Sequence, residues 1–378
     1  MRLFLNHLYN ERYSIKRRCC ELESEAMAKQ RATLRDVAER AGVHLSTVSR
    51  VLNLKSGYVV SDAVAEKIRQ SAAELGYKTN PFALALRVNR SFTVGVVIPD
   101  LTNPVFPSII RGIEHQLAKQ GYTAILADSD NGLDEERRIV DRMRARQTDG
   151  LILATAHRAD DLIKDAMEDG TPVVLINRRI ESDAVSAVVP DDMLGIRQAV
   201  DHLVALGHRE IAHIAGPQHT STGYQRRAAF IACMRDHGLK ADRKLIVNCK
   251  AYSEAEGKQA LTKLLAGTQR FTAVVAANDL MALGCYDALK AAGLSCPDDV
   301  SITGFNDMPF ADKFHPPLTT LHVPLYEMGV EAARTVLHLI EQAPGQARVI
   351  ELPPRLVIRG STAPLRAAKA VRRRRPTS

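Results

Sequence analysis

Residues 45–50 bring together the side chains that hydrogen-bond to nucleic acid. The segment reads Leu-Ser-Thr-Val-Ser-Arg, with three hydroxyl groups and one guanidinium in six residues and no carboxylate. Hydroxyl and guanidinium groups contact phosphate oxygens and base edges, whereas a carboxylate would be repelled by the phosphates. The chemistry that this segment favours is therefore recognition of DNA.

The chain lacks the residue patterns of the common catalytic and cofactor sites. No two glycines stand two residues apart, so a GxGxxG dinucleotide motif is absent, and so are a Walker loop, HExxH and GxSxG. The six cysteines include no CxxC pair and have no histidines at zinc spacing, which favours reduced thiols without a metal. We therefore predict neither an enzyme nor a protein that holds a metal or cofactor.

A helix-turn-helix is predicted around the hydrogen-bonding segment. Thr33 and Asp36 form a capping pair, and Gly42 supplies the positive φ that ends the first helix. The predicted inward positions are Leu34, Val37, Ala38 and Ala41, then Val48, Val51 and Leu52, then Val64, Ile68, Ala72 and Leu75 in a third helix from about Ser61. The outward face of the second helix consists of Leu45, Ser46, Thr47, Ser49 and Arg50. That face can enter a major groove; the alternative is a small helical subdomain with a solvated basic face.

From residue 94 onward, short apolar runs alternate with amphipathic stretches such as 107–121. The runs cover 94–99, 123–128, 150–156, 172–177, 210–216, 272–279 and 300–307. Continuous apolar strands separated by helices are typical of a parallel sheet that helices cover on both faces. The sequence therefore predicts an all-α headpiece followed by a doubly wound α/β body.

The charge is distributed unevenly over the 378 residues, whose net charge is +8. Residues 29–90 carry 11 basic and 5 acidic side chains, residues 365–378 carry 6 basic and none acidic, and residues 91–364 are net negative. A basic head and tail on an acidic body indicate a polyanionic partner. No apolar run is long enough for a membrane span or a signal peptide, so we expect a cytoplasmic, nucleoid-associated protein.

Several motifs together resemble the lactose-repressor (LacI-type) family of bacterial transcription regulators. The headpiece signature is TLRDVAERAGVHLSTVSRVLN at 33–53, and the likeness continues through 73–87, 276–284, 300–307 and 315–320. The resemblance covers about residues 29–364. It implies a DNA-binding repressor whose body has two periplasmic-binding-protein-like subdomains with an effector cleft between them.

The resemblance implies DNA contacts in the headpiece and the hinge. It assigns base edges to Leu45, Ser46 and Arg50, phosphates to Thr47, Ser49 and Asn53, and a minor-groove wedge to Leu86 in a hinge helix at 80–87. Without the resemblance, that segment would be read as a plain linker with an exposed leucine. His44 departs from the family, which usually has serine there; histidine is a poorer N-cap, so the second helix should begin more loosely.

The resemblance also implies effector contacts in the body. Ligands of open α/β sheets bind outside the carboxyl ends of the strands. The expected residues are Arg226, Asn278 and Asn306, the aromatic residues Phe106 and Tyr252, and Asp191. Alternatives are a helix cap for Asn278, simple core for Phe106 and a solvated pair for Arg226 with Arg227. Many sugar-binding relatives have aspartate where Asn306 stands, and the uncharged amide slightly favours a sugar acid over a neutral sugar.

We predict five segments and a homodimer that binds operator DNA and a sugar or sugar-acid effector. The segments are 1–28, a disordered extension or upstream start; 29–76, the helix-turn-helix headpiece; 77–90, the hinge helix or linker; 91–364, the effector-binding and dimerisation body; and 365–378, a disordered basic tail. A dimer is expected because one headpiece reads only half a site, and the tail offers no leucine heptad for a tetramer. Two alternatives stay open: a sugar-binding or sugar-modifying protein with an accessory head, and a regulator that docks a protein corepressor.

Overall fold

The computed structural model describes residues 32–52, 60–78, 90–182, 184–342 and 346–365. Contacts between residues divide the chain into two units, Met1–Ser91 and Phe92–Ser378. In the first unit, three helices follow the predicted order: α1 (Leu34–Ala41), α2 (Leu45–Leu52) and α3 (Asp62–Glu74). No helix in the described ranges is both long and apolar enough to cross a membrane.

Local sequence explains where α1 begins and ends. The Thr33 hydroxyl accepts from the Asp36 amide at 3.3 Å, and the Asp36 carboxylate accepts from the Thr33 amide at 2.7 Å, which is a reciprocal capping box. Gly42 ends the helix with φ 66°, a conformation that favours glycine. The expected apolar stripe is buried at Val37, Ala38 and Ala41, while Leu34 is half-buried.

The second unit contains two parallel sheets, and the first sheet has six strands. In spatial order these are β11 (Val349–Leu352), β5 (Ser186–Pro190), β4 (Val173–Ile176), β3 (Gly150–Leu153), β1 (Thr93–Ile98) and β2 (Thr123–Asp128). Helices α4 (Phe106–Ala118) and α11 (Leu325–Glu341) cover one face, and α5 (Leu133–Ala145) and α6 (Asp161–Glu168) cover the other. We call this layered part the first lobe.

The second lobe is built around a four-stranded parallel sheet. Its spatial order is β7 (Ile246–Asn248), β6 (Ile211–Ala215), β8 (Ala273–Ala276) and β9 (Ser301–Thr303). Helices α7 (Asp192–Ala205) and α8 (Ser221–Asp236) pack together on one face, and α9 (Glu254–Ala266) and α10 (Asp279–Ala291) pack on the other. The doubly wound α/β body is therefore confirmed, with one parallel sheet in each lobe.

The chain passes between the lobes three times. It leaves the first lobe after β5, returns with α11, and leaves again between β11 and β12 (Arg355–Val357). In the second lobe β12 pairs antiparallel with β10 (Thr320–His322). Three chain crossings link the lobes covalently while leaving a cleft between the carboxyl ends of their strands.

Two features of the sheets differ from the sequence prediction. Strand β2 is half exposed rather than covered on both faces, because it lies at the edge of its sheet; Leu126 is 41% exposed. Five strands escaped prediction: β5, β7, β10, β11 and β12. All five are only three to five residues long, so their apolar periodicity carries little signal.

Helices α4 and α11 approach each other at backbone distance. A Cβ at Gly112 would lie 2.1 Å from the Tyr326 carbonyl oxygen, and a Cβ at Gly329 would lie 2.1 Å from that of Ile109. Only glycine permits this separation. The close packing fixes the returning helix α11 against the first lobe.

Candidate functional site

Helix α2 presents the predicted hydrogen-bonding face outward. Leu45 is 43% exposed, Ser46 and Arg50 are also exposed, and Thr47 and Ser49 are half-buried. The opposite face buries Val48 and Val51 against the headpiece core. The apolar side thus fixes which side chains a DNA groove could meet, and the individual base and phosphate contacts stay predictions.

His44 takes the capping position at the start of α2. Its Nδ1 accepts from the Ser46 amide at 3.3 Å and lies 2.7 Å from the Ser46 hydroxyl, while its carbonyl accepts from the Thr47 amide at 2.9 Å. The expectation of a looser helix start finds no support in this geometry, because the imidazole supplies a capping acceptor. Histidine therefore replaces the usual serine cap and also orients Ser46.

Two of the predicted DNA-contacting residues, Asn53 and Leu86, lie outside the described residues, as do the hinge helix at 80–87, the extension 1–28 and residues 366–378 of the tail. Their assigned roles stay predictions.

A cleft between the two lobes gathers five of the six residues predicted to bind the effector. Its first compartment has an empty volume of about 340 Å³. The predicted residues that line it are Phe106, Arg226, Tyr252, Asn278 and Asn306. They lie at or beyond the carboxyl ends of β1, β6, β7, β8 and β9, which is where open α/β sheets bind ligands.

Arg226 combines a place in the cleft wall with a buried ion pair. Its Nε donates to the Asp192 carboxylate at 2.7 Å, its Nη1 donates to the Ala277 carbonyl at 2.6 Å, and both charged side chains are 3% exposed. The guanidinium carbon also lies 3.7 Å from the centroid of the Phe305 ring. Burial raises the pKa of Asp192, and the Arg226 charge opposes that rise. Arg226 is thus not a solvated surface arginine.

The two asparagines hold defined conformations at the ends of strands. Asn278 caps α10, since its Oδ1 accepts from the Met281 amide at 2.9 Å, which leaves its NH₂ group as a donor for the cleft. Asn306 adopts φ 111°, an uncommon conformation for a residue with a side chain, and its backbone N–H donates to the Leu321 carbonyl. The cap and the cleft position of Asn278 are therefore compatible.

The two aromatic residues enter the cleft from opposite lobes. Phe106 is only 2% exposed, because it belongs to the first-lobe core as well as to the cleft wall. Tyr252 is half-buried, and its hydroxyl lies 2.7 Å from that of Thr222. A ring from each lobe faces the same space.

Asp191 and its neighbour Asp192 have different positions from those expected. Asp191 caps α7 by accepting from the Leu194 amide at 2.8 Å, and it is not among the cleft-lining residues of either compartment. Asp192, which was not among the residues expected in the cleft, is the buried partner of Arg226. The first turn of α7 points inward there, which sequence alone does not show.

The cleft also contains residues that the sequence analysis missed. In the first compartment these are the apolar Val105 and the polar Asn103, Asn177, Arg178 and Thr222. Asn177 and Arg178 directly follow β4, so the strand-end rule that singled out Asn278 and Asn306 would have found them too. Asn177 has φ 63°, which turns the chain immediately before Arg178.

A second compartment adjoins the first and has an empty volume of about 890 Å³. It shares Asn103, Arg178 and Tyr252 with the first compartment. Its other polar lining residues include Glu136, Thr155, His157, His219 and Lys250. Among the described residues, no cluster of three or more His, Cys, Asp or Glu side chains could hold a metal ion.

Burial shifts the pKa of Glu136 and of two histidines in this compartment. It raises the pKa of Glu136 to about 7, although the Thr155 hydroxyl donates to the carboxylate. Burial also lowers the pKa of His157 and His219, whose ring centroids are 4.6 Å apart. The compartment is thus lined by side chains close to neutral and by the cations Arg178 and Lys250, with Asp100 as a further acid.

Two family models match the chain. Residues 33–80 match "Bacterial regulatory proteins, lacI family", and residues 200–362 match "Periplasmic binding protein-like domain". The first match covers the three-helix unit, and the second covers most of the second lobe together with α11 and β11.

Curated relatives match the chain over nearly their whole length. The chain is 32% identical over 338 residues to the HTH-type transcriptional regulator DegA of Bacillus subtilis (strain 168), covering 89% of this chain and 99% of that protein. It is 33% identical to the HTH-type transcriptional repressor CytR of Escherichia coli (strain K12), covering 88% and 96%.

Solved structures of transcriptional regulators also match the chain. The lac repressor dimer bound to operator and the anti-inducer ONPF matches with a TM-score of 0.78 and 29% identity, covering 88% of this chain and all of that chain. A complex of the transcriptional regulator CelR with cellobiose matches with a TM-score of 0.68 and 32% identity over similar coverage. The chain belongs to the lacI family of bacterial regulatory proteins, with a helix-turn-helix DNA-binding unit and a periplasmic-binding-protein-like body.

Proposed function

We propose that this protein is a homodimeric repressor whose affinity for operator DNA is changed by a polyhydroxylated small molecule, a sugar or a sugar acid, bound between the lobes. The main support is that the cleft is lined by Arg226, Asn278, Asn306 and two aromatic rings, which follow separate strands. Amide and guanidinium groups hydrogen-bond to hydroxyls, and rings pack against the apolar face of a sugar. The relative CelR, whose structure was solved with cellobiose, supports this class of ligand.

The proposal assigns binding, rather than catalysis, to the cleft. Arg226 donates to a carboxylate and a carbonyl, and Asn278 caps a helix, so both side chains are held in place before a ligand arrives. Held donors lose little conformational entropy on binding. This arrangement suits a ligand whose occupancy changes the relation between two lobes.

A homodimer follows from the size of one recognition helix. A single α2 reads half of an operator, and proteins with two-fold symmetry read pseudo-palindromic sites. The solved lac repressor complex is itself described as a dimer on operator. We therefore expect the DNA sites of this chain to contain two inverted half-sites.

Selection from random duplex DNA tests the DNA-binding half of the proposal. The full chain is equilibrated with a randomised duplex pool, bound DNA is amplified, and the retained sites are sequenced. We expect a two-fold symmetric site bound at least about 10³-fold more tightly than a scrambled duplex at the same salt concentration. Recovery of no shared sequence would contradict the proposal.

Arg50→Ala shows whether α2 reads that site. Arginine facing guanine is the commonest specific contact in the major groove, so the variant should lose about 1–3 kcal/mol on the selected site and much less on scrambled DNA. Arg69→Ala serves as a control, since Arg69 is an exposed arginine on α3 that pairs with Glu66. Equal losses on both duplexes would make Arg50 a phosphate contact.

Removal of residues 1–90 separates the regulator from a sugar-binding or sugar-modifying protein with an accessory head. A regulator loses its effect on gene expression in the cell, whereas a protein that acts through its body keeps its activity. The same truncated body should keep its thermal shift with the small ligand. A body that responds to no small molecule but captures a protein would favour a corepressor instead.

A further inference from the structure

Arg178 is a buried cation at the junction of the two cleft compartments. It is 8% exposed, it lines both compartments, and its Nη1 donates to the Thr155 carbonyl at 3.3 Å. Its Nε is buried without any hydrogen-bond partner. Arg178 therefore lines the cleft with a guanidinium that has one donor without a hydrogen-bond partner.

The described part of the chain provides no carboxylate partner for this cation. None of the ion pairs within 4.0 Å involves Arg178, in contrast to Arg226, which pairs with Asp192. The acid that acts on it electrostatically is Glu136, whose pKa burial raises to about 7, so this carboxyl carries only a partial charge near neutral pH. A buried charge without a counter-charge is unfavourable, and a ligand that brings the opposite charge removes the cost.

The other groups around Arg178 also favour an anion. Lys250 lines the second compartment, and His157 of the first lobe and His219 of the second lobe line the same compartment. Asp100, the remaining acid of that compartment, has its carboxylate engaged with the amide and hydroxyl of Thr102 at 2.8 and 2.6 Å. The donors of the compartment thus outnumber the free negative charges.

We propose that the molecule bound in the cleft carries an oxyanion, a carboxylate or a phosphate, and that this group binds Arg178 while the hydroxyls occupy the first compartment. Nε and Nη2 form one edge of a guanidinium, and an oxyanion binds such an edge through two parallel hydrogen bonds. This inference rests on the proposed function, because it names the chemical class of the ligand for that same cleft.

Thermal unfolding with matched compounds tests the inference. The full chain is heated with D-glucose, sodium D-gluconate, D-glucose 6-phosphate, sodium sulfate or sodium phosphate, with sodium chloride added to equalise ionic strength. The inorganic anions probe the oxyanion site independently of the sugar skeleton. A ligand present at roughly one hundred times its Kd raises Tm by about 3–4 °C in a protein of this size.

Three variants separate the role of Arg178 from general effects of charge. Arg178→Gln removes the cation, Arg178→Lys keeps the charge without the paired donors, and Arg227→Gln is the matched control. Arg227 also has a buried Nε without a partner, but it lies on α8 and is not among the cleft-lining residues. In sodium chloride alone, Arg178→Gln should unfold no earlier than the wild type, because it removes an uncompensated buried charge.

We expect at least one oxyanion to raise the Tm of the wild type and of Arg227→Gln more than sodium chloride or D-glucose does. The same oxyanion should raise the Tm of Arg178→Lys less, and it should not raise the Tm of Arg178→Gln. The inference is overturned if only the neutral sugar raises Tm, if no compound does, or if the oxyanion effect persists in Arg178→Gln. Sequence-specific DNA binding, measured on the same samples, reports on the proposed function separately. If a neutral sugar alone raises Tm and alters DNA binding, the oxyanion inference is contradicted while the proposed function is supported.

Discussion

At the scale of single residues, Arg226 illustrates how one side chain can serve the cleft and the folded core together. Its guanidinium lies between the Asp192 carboxylate, the Ala277 carbonyl and the Phe305 ring. A ligand that contacts this group would contact a side chain fixed to both α7 and the end of β8. The ion pair therefore gives the second lobe a rigid wall.

The ion pair between Arg226 and Asp192 predicts that a single and a double variant differ in stability. Arg226→Met leaves the buried Asp192 carboxylate without a partner, which should cost about 3–5 kcal/mol of unfolding free energy. The double variant Arg226→Met/Asp192→Asn removes the stranded charge and should recover much of that loss. Urea unfolding followed by circular dichroism compares the midpoints, and identical midpoints for the two variants would show that the pair contributes no coupling.

The buried Glu136 carboxyl predicts a pH dependence of stability. Its pKa rises from 4.5 to about 7 on folding, so the folded state binds the proton more tightly than the unfolded state. Its contribution to stability is complete below pH 4.5 and disappears as the pH rises through about 7. Relative to Glu136→Gln, the wild type should lose up to about 3 kcal/mol across this window. Parallel curves of unfolding free energy against pH would contradict the assignment.

Most of the cleft could be located from the sequence, but two of its buried charged residues, Arg178 and Asp192, were missed. Asn278 and Asn306 could be found because the carboxyl ends of parallel strands are a known ligand position, and Arg226 was found through the family resemblance. Asp192 and Arg178 were missed because the burial of a charged residue depends on which helix packs over it. Tertiary contacts decide that, and a local pattern does not contain them.

At the scale of elements, the headpiece follows its sequence closely. The capping box at Thr33 and the turn at Gly42 depend on neighbours within four residues, so the ends of α1 were predictable. The cap of α2 was not, because His44 uses Nδ1 in a role that serine or aspartate usually takes. The strands that were missed are short and lie where the chain returns to a sheet, which only the assembled lobe defines.

The contact between α4 and α11 predicts a sharp sensitivity to one methyl group. Gly112→Ala would place a Cβ within 2.1 Å of a backbone oxygen on α11, so the helices must move apart. We expect a loss of about 1–3 kcal/mol or more, as for other overpacked cores. Gly170→Ser is a control for glycine substitution in general, because a Cβ at Gly170 meets nothing within 4 Å, although its φ of 76° adds some strain. A Gly112→Ala protein as stable as the wild type would contradict this close contact between α4 and α11.

At the scale of the whole molecule, the fold supplies two functions in two units. A three-helix unit within the basic segment 29–90 carries the DNA-reading face, and a two-lobed body, net negative over residues 91–364, carries the cleft. The alternation of apolar runs and helices was enough to predict the doubly wound body. The three passages between the lobes were not predictable, because they depend on α11 and β11 pairing with elements more than 150 residues earlier in the chain.

Regulation requires that the ligand distinguish two conformations of the body. A molecule that binds both equally changes nothing, however tight its binding. The lobes are joined by three chain segments and share one cleft, so a ligand that contacts both lobes can favour one arrangement of them. Coupling energies between such sites are about 1–3 kcal/mol.

The most direct test of this account is an equilibrium titration of the full-length protein on its selected DNA site, with and without the cleft-binding compound identified by thermal unfolding. The titration is made at one salt concentration, and saturation with the compound is verified on the same sample. We predict that saturating the cleft changes operator affinity by roughly 5–150-fold. An operator affinity that stays the same while the cleft is saturated would contradict it.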